Sequence, residues 1–277
     1  MTLVPRVLTA LVGIPILVTA IWWGFPAITL LVAIAAVLGI RELYALYSTE
    51  HPSNLLPLPV GVIWVLAFAF AGQTASGIVG FLFSSAMIFL VGTFISLLWL
   101  IAFYNGRRLR AAVGYLVGGP LYIGFLLAHT LTLRDIGSGE DLGRDWLFLA
   151  LFVAFATDIG AFFVGKSIGR YQLAPSVSPG KTWEGAFGGL ITAIIASMSL
   201  GLLLTISLPI WQGALIGAAV GLAAQAGDLF ESKLKRISHV KDSGSIIPGH
   251  GGILDRLDSL LVSIPTVYYL AIGIFGV

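Results

Sequence analysis

Residues 146–168 read WLFLALFVAFATDIGAFFVGKSI, and within them Gly160–Ser167, GAFFVGKS, fits the nucleotide-binding pattern G-x-x-x-x-G-K-[ST] letter for letter. How this stretch is read decides the fold. A phosphate-binding loop of that pattern follows a strand and opens a helix in a soluble sheet. Here the intervening AFFV lies in an apolar run whose only charges are Asp158 and Lys166, with no strand available before it. The run is long enough for the ~20 apolar residues that a bilayer core requires. It is therefore read as a membrane helix and the loop match is rejected. Composition agrees: of 277 residues 58% are hydrophobic and 10% charged, with a mean hydropathy of +1.00, whereas soluble domains carry about a quarter charged residues. There is no cysteine, which excludes disulfides and thiolate metal sites and leaves the redox compartment unread. The first apolar run resembles a signal peptide, but its end, WWGFP, lacks a small-residue cleavage site, so it is expected to be retained.

Outward from this helix, further apolar runs lie near 7–24, 26–46, 57–75, 78–104, 111–133, 184–208, 211–229 and 252–275. The expected fold is an all-α integral membrane bundle of about nine transmembrane helices. Residues 1–135 form an N-terminal group of about five spans, and residues 146–277 a C-terminal group that carries the chemistry. With the N-terminus inside, all 15 Lys and Arg except Arg134 and Arg144 fall in cytosolic segments. The positive-inside rule then gives an N-in, C-out topology. Asp135, Glu140, Asp141 and Asp145 fall in an external loop, while Asp158, Glu184, Asp228, Asp255 and Asp258 fall toward the cytosolic ends of the later spans. An Asp inside a membrane costs about 2.5–3.5 kcal/mol, so these are expected to line a wet cavity. Gly213, Gly217 and Gly221, like Gly114 and Gly118, stand four apart. Packing within one subunit is the first reading of such steps and a homodimer the alternative.

The densest charge lies in residues 232–258, SKLKRISHVKDSGSIIPGHGGILDRLD. Lys and Arg suit phosphate oxygens, and Asp suits a hard divalent cation such as Mg²⁺. Asp255 and Asp258, three apart at the start of the last span, are expected to share a helix face, with Asp228 at the end of the preceding span as a third metal ligand. Glu231 reads as a membrane-edge residue. In YQLAPSVSPGKTWEG, residues 171–185, Pro175, Pro179 and Gly180 break the helix and leave Ser176, Ser178, Lys181 and Thr182 to meet a ligand. Lys241, like Lys181, is expected on a phosphate, and His250 on a phosphate or a carboxylate. For Asp158, direct ligation and a supporting role both stay open. The isolated His51, His129 and His239 do not make a zinc site.

Segment 232–258 resembles the signature of phosphatidate cytidylyltransferases, also called CDP-diacylglycerol synthases: S-x-aliphatic-K-R, four residues, K-D, a short run of small residues, then H-G-G-aliphatic-x-D-R-x-D. Ser232, Lys235, Arg236, Lys241, Asp242, His250, Gly251, Gly252, Asp255, Arg256 and Asp258 all fit. TDIGAFFVGK at 157–166 and SPGKTWEG at 178–185 are similar to the same family. The resemblance covers about residues 155–260; over the first 150 only hydropathy agrees. It implies a nucleotidyltransferase that converts CTP and phosphatidate to CDP-diacylglycerol and pyrophosphate for phospholipid synthesis. Mg²⁺ is the implied cofactor, with a second metal ion left open. Asp228, Asp255, Asp258 and Lys241 are then catalytic, and Ser178, Lys181, Lys235, Arg236, Asp242, His250 and Arg256 bind substrate. The setting implied is a bacterial inner or plasma membrane with the site facing the cytosol, and no nucleic-acid partner. A CTP-dependent lipid kinase and a membrane transporter remain as alternatives.

Overall fold

Glycine and proline punctuate the chain into its helices. Helix α1 (Leu3–Trp23) stops at Gly24, whose φ of 71° suits glycine, and α2 (Ala27–Glu50) follows Pro26. Helix α3 (Leu58–Thr74) has proline in its first turn, where the missing N–H removes no helical bond. Helix α4 (Gly77–Phe103) begins at a glycine of φ 67°. Helix α5 (Leu109–Arg134) contains two π-helical stretches, Gly114–Gly118 and Leu121–Phe125, on either side of Pro120. A proline ring there crowds the carbonyl one turn back and removes a donor, which a locally wider helix accommodates. Helix α6 (Glu140–Ile168) leads to strands β1 (Gln172–Ala174) and β2 (Ser178–Thr182). Then come α7 (Trp183–Leu203), α8 (Ile210–Ile237), the single turn α9 (Leu254–Leu257) and α10 (Leu260–Gly273). The structure, a computed structural model, describes residues 3–50, 56–104, 108–137, 140–247, 249 and 251–273.

Of the described residues 81% are helical. Among the described residues six helices are long and apolar enough to cross a membrane: α2, α4, α5, α6, α7 and α8. Hydropathy led to nine spans; the remaining apolar helical stretches are Leu11–Trp23 of α1, α3, and the 14-residue α10. Two local features depart from an all-α pattern of continuous spans. The 171–185 connection folds as an antiparallel hairpin, β1 against β2, with Gln172 opposite Thr182. The last span, expected as one helix over 252–275, is interrupted at Asp258–Ser259, where Asp258 Oδ1 accepts from Ser259 N at 2.6 Å. A short acidic side chain that captures its neighbour's amide competes with the helix ladder. Asp255 and Asp258 therefore do not lie on one continuous helix.

The chain divides into two compact units. The first comprises residues 1–132 together with 237–255. Its buried aromatic core gathers Trp64, Phe68, Phe81 and Ala128, with Phe81 stacked on Phe125 at 5.7 Å between centroids. Large apolar side chains of α4, among them Phe83, Phe94 and Ile101, are exposed, as lipid-facing residues are. Chain order would place 237–255 with the C-terminal helices; it packs instead with the N-terminal ones.

The second unit comprises residues 133–236 and 256–277. Its centre is the α6–α7 pair, held at short range by glycine. A Cβ at Gly189 would stand 2.8 Å from the Thr157 carbonyl oxygen, and one at Gly185 2.8 Å from that of Ala161. On the other face of α7, Gly217 of α8 meets the backbone of Ala193 and Ile194, and Gly213 meets Met198. The steps at 213, 217 and 221 are thus filled by α7 of the same chain. Around Gly114 and Gly118 of the first unit, by contrast, a Cβ would meet nothing within 4 Å.

Candidate active site

In the second unit a cleft of about 450 Å³ opens between α6, the hairpin, α7 and α8, lined by Asp158, Phe162, Lys166, Lys181, Gln225 and Asp228 among others. Each polar residue is delivered by a feature of local sequence. Lys181 is near the end of β2, just before Thr182 caps α7 by accepting from Gly185 N at 3.1 Å. The hairpin base is closed by Trp183 N donating to Tyr171 O and by Glu184, whose carboxylate accepts from Tyr171 N at 3.3 Å. Its turn is held by Arg236, whose Nε donates to Val177 O at 3.1 Å. Ser178 sits in the strand pairing, opposite Ala174. Lys181 is thus carried on a braced hairpin rather than on a slack loop.

Lys181 Nζ lies 2.6 Å from Asp228 Oδ2, both side chains partly exposed to the cleft. Ser232, one turn on in α8, donates to Asp228 Oδ1 at 3.3 Å. Asp158 and Asp258 complete the acidic group. Both are within electrostatic reach of Asp228 and of each other, and Ser259, whose amide Asp258 holds, donates through its hydroxyl to Asp158 Oδ2 at 3.4 Å. Gly227 permits this arrangement, because a Cβ there would collide with the Asp258 carbonyl oxygen. Arg256 and Lys181 act on Asp158, and Lys235 on Asp258. Lys235 pairs with Glu231 at 2.5 Å. Glu231, read from sequence as a membrane-edge residue, is fully buried; its one-turn spacing from Lys235 was the available signal.

Asp255 has other partners. In the first unit its Oδ2 accepts from Ser243 N at 3.0 Å and from Gly252 N at 2.8 Å, so its carboxylate ties together the two ends of the 243–252 loop. Lys241 and Asp242 are exposed on the same segment, and His250 lies outside the described residues. One acid that sequence reasoning passed over sits here. Glu42 of α2 is 3% exposed and accepts from Ser243 Oγ, Ile253 N and Leu254 N at 3.1, 3.0 and 2.9 Å.

The donor set fits magnesium. Among the described residues no three His, Asp or Glu side chains form a ready-made metal cage. Mg²⁺, however, is usually held by one or two carboxylates with water and substrate phosphates completing the octahedron. Asp158, Asp228 and Asp258 bring hard oxygens and like charge together, which a divalent cation relieves, and nearby cations suit phosphate oxygens.

A family model described as the cytidylyltransferase family matches residues 4–273. The chain is 41% identical over 158 residues to a phosphatidate cytidylyltransferase of Bacillus subtilis (strain 168), covering 57% of this chain and 58% of that one. It is 38% identical over 167 residues to a phosphatidate cytidylyltransferase of Pseudomonas aeruginosa, covering 60% and 58%. It is 43% identical over 146 residues to the uncharacterized protein YnbB of Escherichia coli (strain K12), covering 52% and 49%. The chain thus spans about half the length of the curated relatives it matches.

Proposed function

Because this chain belongs to the cytidylyltransferase family, we propose that it transfers the cytidylyl group of CTP to phosphatidate, giving CDP-diacylglycerol and pyrophosphate. The observation that carries this reading is the Lys181–Asp228 pair in a cleft shared with Asp158. An ammonium suited to phosphate oxygens beside carboxylates suited to a hard cation supports it. A phosphate oxygen of the lipid attacks the α-phosphorus of CTP. The bond from that phosphorus to the oxygen bridging the α- and β-phosphates breaks, and its electron pair leaves with pyrophosphate. The nucleophile is already ionised, carrying about −1.5 to −2 charge as a monoester, so no general base is required. Two anions must instead be brought together, which is the task of Lys181, Lys235 and Arg256. Arg236 and Ser178 shape the hairpin that carries Lys181. Lys241 and Asp242 are assigned substrate contacts through the signature they fit. Asp228 and Asp258, with Asp158, would hold Mg²⁺, which when bound screens charge developing on the transferred phosphoryl group.

The membrane arrangement belongs to the same reading: nine spans, N-in and C-out, in a bacterial inner membrane with the cleft open to the cytosol. The one-sided distribution of Lys and Arg supports it. The test is incubation of purified protein with Mg²⁺, phosphatidate and CTP labelled at the α-phosphate. Labelled CDP-diacylglycerol with release of pyrophosphate is expected. Release of CDP with phosphate transferred to a lipid would identify a kinase, and no turnover with either product would overturn the assignment.

A further inference from the structure

Glu42 lies far from every motif of the sequence, in the middle of an apolar helix, yet its carboxylate is buried and engaged within the first unit. A buried carboxylate is costly unless its oxygens are hydrogen-bonded, and here three donors converge on it. Two are consecutive backbone amides, Ile253 and Leu254, and the third is the Ser243 hydroxyl. All three belong to the signature segment. Glu42 therefore grips both ends of the loop whose middle carries Gly249 and Gly251 in left-handed conformations.

The glycines of that loop are shaped around this carboxylate. A Cβ at Gly244 would stand 2.6 Å from Glu42 Oε1, and one at Gly252 would collide with Glu42 Oε2 and Ser243 Oγ. Ser243 links the two acids, its hydroxyl going to Glu42 and its amide to Asp255. The result is a closed unit of Glu42, Ser243, Gly252 and Asp255, from which the exposed Lys241 and Asp242 project.

We propose that Glu42 is a positioning residue for the reaction: it fixes the 241–255 loop in the conformation in which that loop meets substrate. This rests on the reading above that Lys241 and Asp242 contact substrate. The Glu42 carboxylate holds the loop through two main-chain amides and the Ser243 hydroxyl rather than by touching substrate. A carboxylate is required, because the three donors point at both oxygens and an amide would turn an N–H toward the Leu254 or Ile253 donor.

The test is Glu42→Gln, read in two ways on purified protein in detergent. Hydrogen exchange of the peptides spanning 241–255 reports the loop without reference to activity. Steady-state kinetics reports the consequence. The expected result is faster exchange confined to this loop and to its contact on α2, with kcat reduced on the order of 10²-fold, the scale of a displaced positioning element. The KM for CTP should change much less. If the variant does not yield monodisperse protein, Gly244→Ala, which crowds Oε1 while leaving α2 unaltered, is measured in the same way. Unchanged loop exchange in the variant overturns the proposal whatever happens to activity. Loosened exchange with wild-type kcat overturns its catalytic meaning. Loosened exchange in a protein whose wild type turns over no CTP leaves Glu42 as the loop's anchor and places the failure in the proposed function instead.

Discussion

Asp228 is approached by an ammonium at 2.6 Å, by a hydroxyl at 3.3 Å and by the field of two further carboxylates, and that neighbourhood sets it apart from Asp255. Changing a metal-holding carboxylate to its amide keeps the shape and removes charge stabilisation of several kcal/mol. Asp228→Asn and Asp258→Asn are therefore expected to lose most activity while folding normally, with survivors demanding more Mg²⁺. Asp255→Asn is expected to behave differently: lower kcat at an unchanged Mg²⁺ requirement, because its carboxylate accepts from the Ser243 and Gly252 amides. Titration of Mg²⁺ against rate for the three variants separates the roles, and a raised Mg²⁺ requirement in Asp255→Asn would return it to the metal. Lys181→Ala should lower kcat/KM for CTP by about 10- to 100-fold, the equivalent of one charge-assisted contact of ~1.5–3 kcal/mol. Wild-type kcat/KM would remove Lys181 from the site. The acids and cations of the cleft were legible in sequence because charge in an apolar chain is conspicuous. Glu42 was not, since its partners stand 201 to 212 residues away and no local pattern encodes so distant a pairing.

At the scale of elements, the site depends on how closely α6 and α7 approach. Asp158 is on α6, Lys181 leads into α7, and the glycines at 185 and 189 stand against the α6 backbone while Gly188 makes room for the Val164 side chain. Small residues permit such close packing inside a membrane, where no hydrophobic force drives helices together. Gly189→Ala should cost about 1–3 kcal/mol through overpacking against the Thr157 carbonyl, whereas Gly118→Ala, with open space around it, should be close to neutral. Thermal unfolding of both variants in detergent tests the contrast, and equal losses would show that the seam is not the tight element it is taken for here. A shift in oligomeric state for Gly118→Ala would instead mark that glycine as part of a contact between subunits. Helices were read well from hydropathy because a long apolar run admits few other structures. The hairpin was not, since strands of three and five residues are too short for an alternating pattern and sit among prolines that mark only a break. The break at Asp258–Ser259 escaped for a similar reason. It is made by one side chain taking one amide, inside a run whose apolar content reads straight through.

For the whole molecule, the charge distribution makes a claim about sidedness that helix lengths do not. Among the described residues six helices satisfy the length and composition of a span, and the nine-span, N-in, C-out reading needs α1, α3 and the α9–α10 pair to cross as well. The cost of burying Lys or Arg in the bilayer and the bias of short cytosolic loops toward those residues argue for it. A chain with no cysteine allows one reporter at a time. Ser238, in the four-residue spacer of the signature, is buried beside Tyr115, whose hydroxyl lies 3.3 Å from its own, so a probe belongs at exposed positions. Ser176 and Ser245 are exposed, in the hairpin turn and the signature loop, and Asp135 is exposed in the connection after α5. In sealed cells a membrane-impermeant maleimide should label Asp135→Cys, and should reach Ser176→Cys and Ser245→Cys only after permeabilisation. Were Ser176→Cys labelled from outside, the cleft would face away from the cytosolic pool of nucleotide, and the proposed use of CTP would fail with the topology. Were Asp135→Cys as silent from outside as the other two, a chain with its N-terminus inside would cross an even rather than an odd number of times before α6. The cleft's orientation would then have to be settled by the hairpin probe alone.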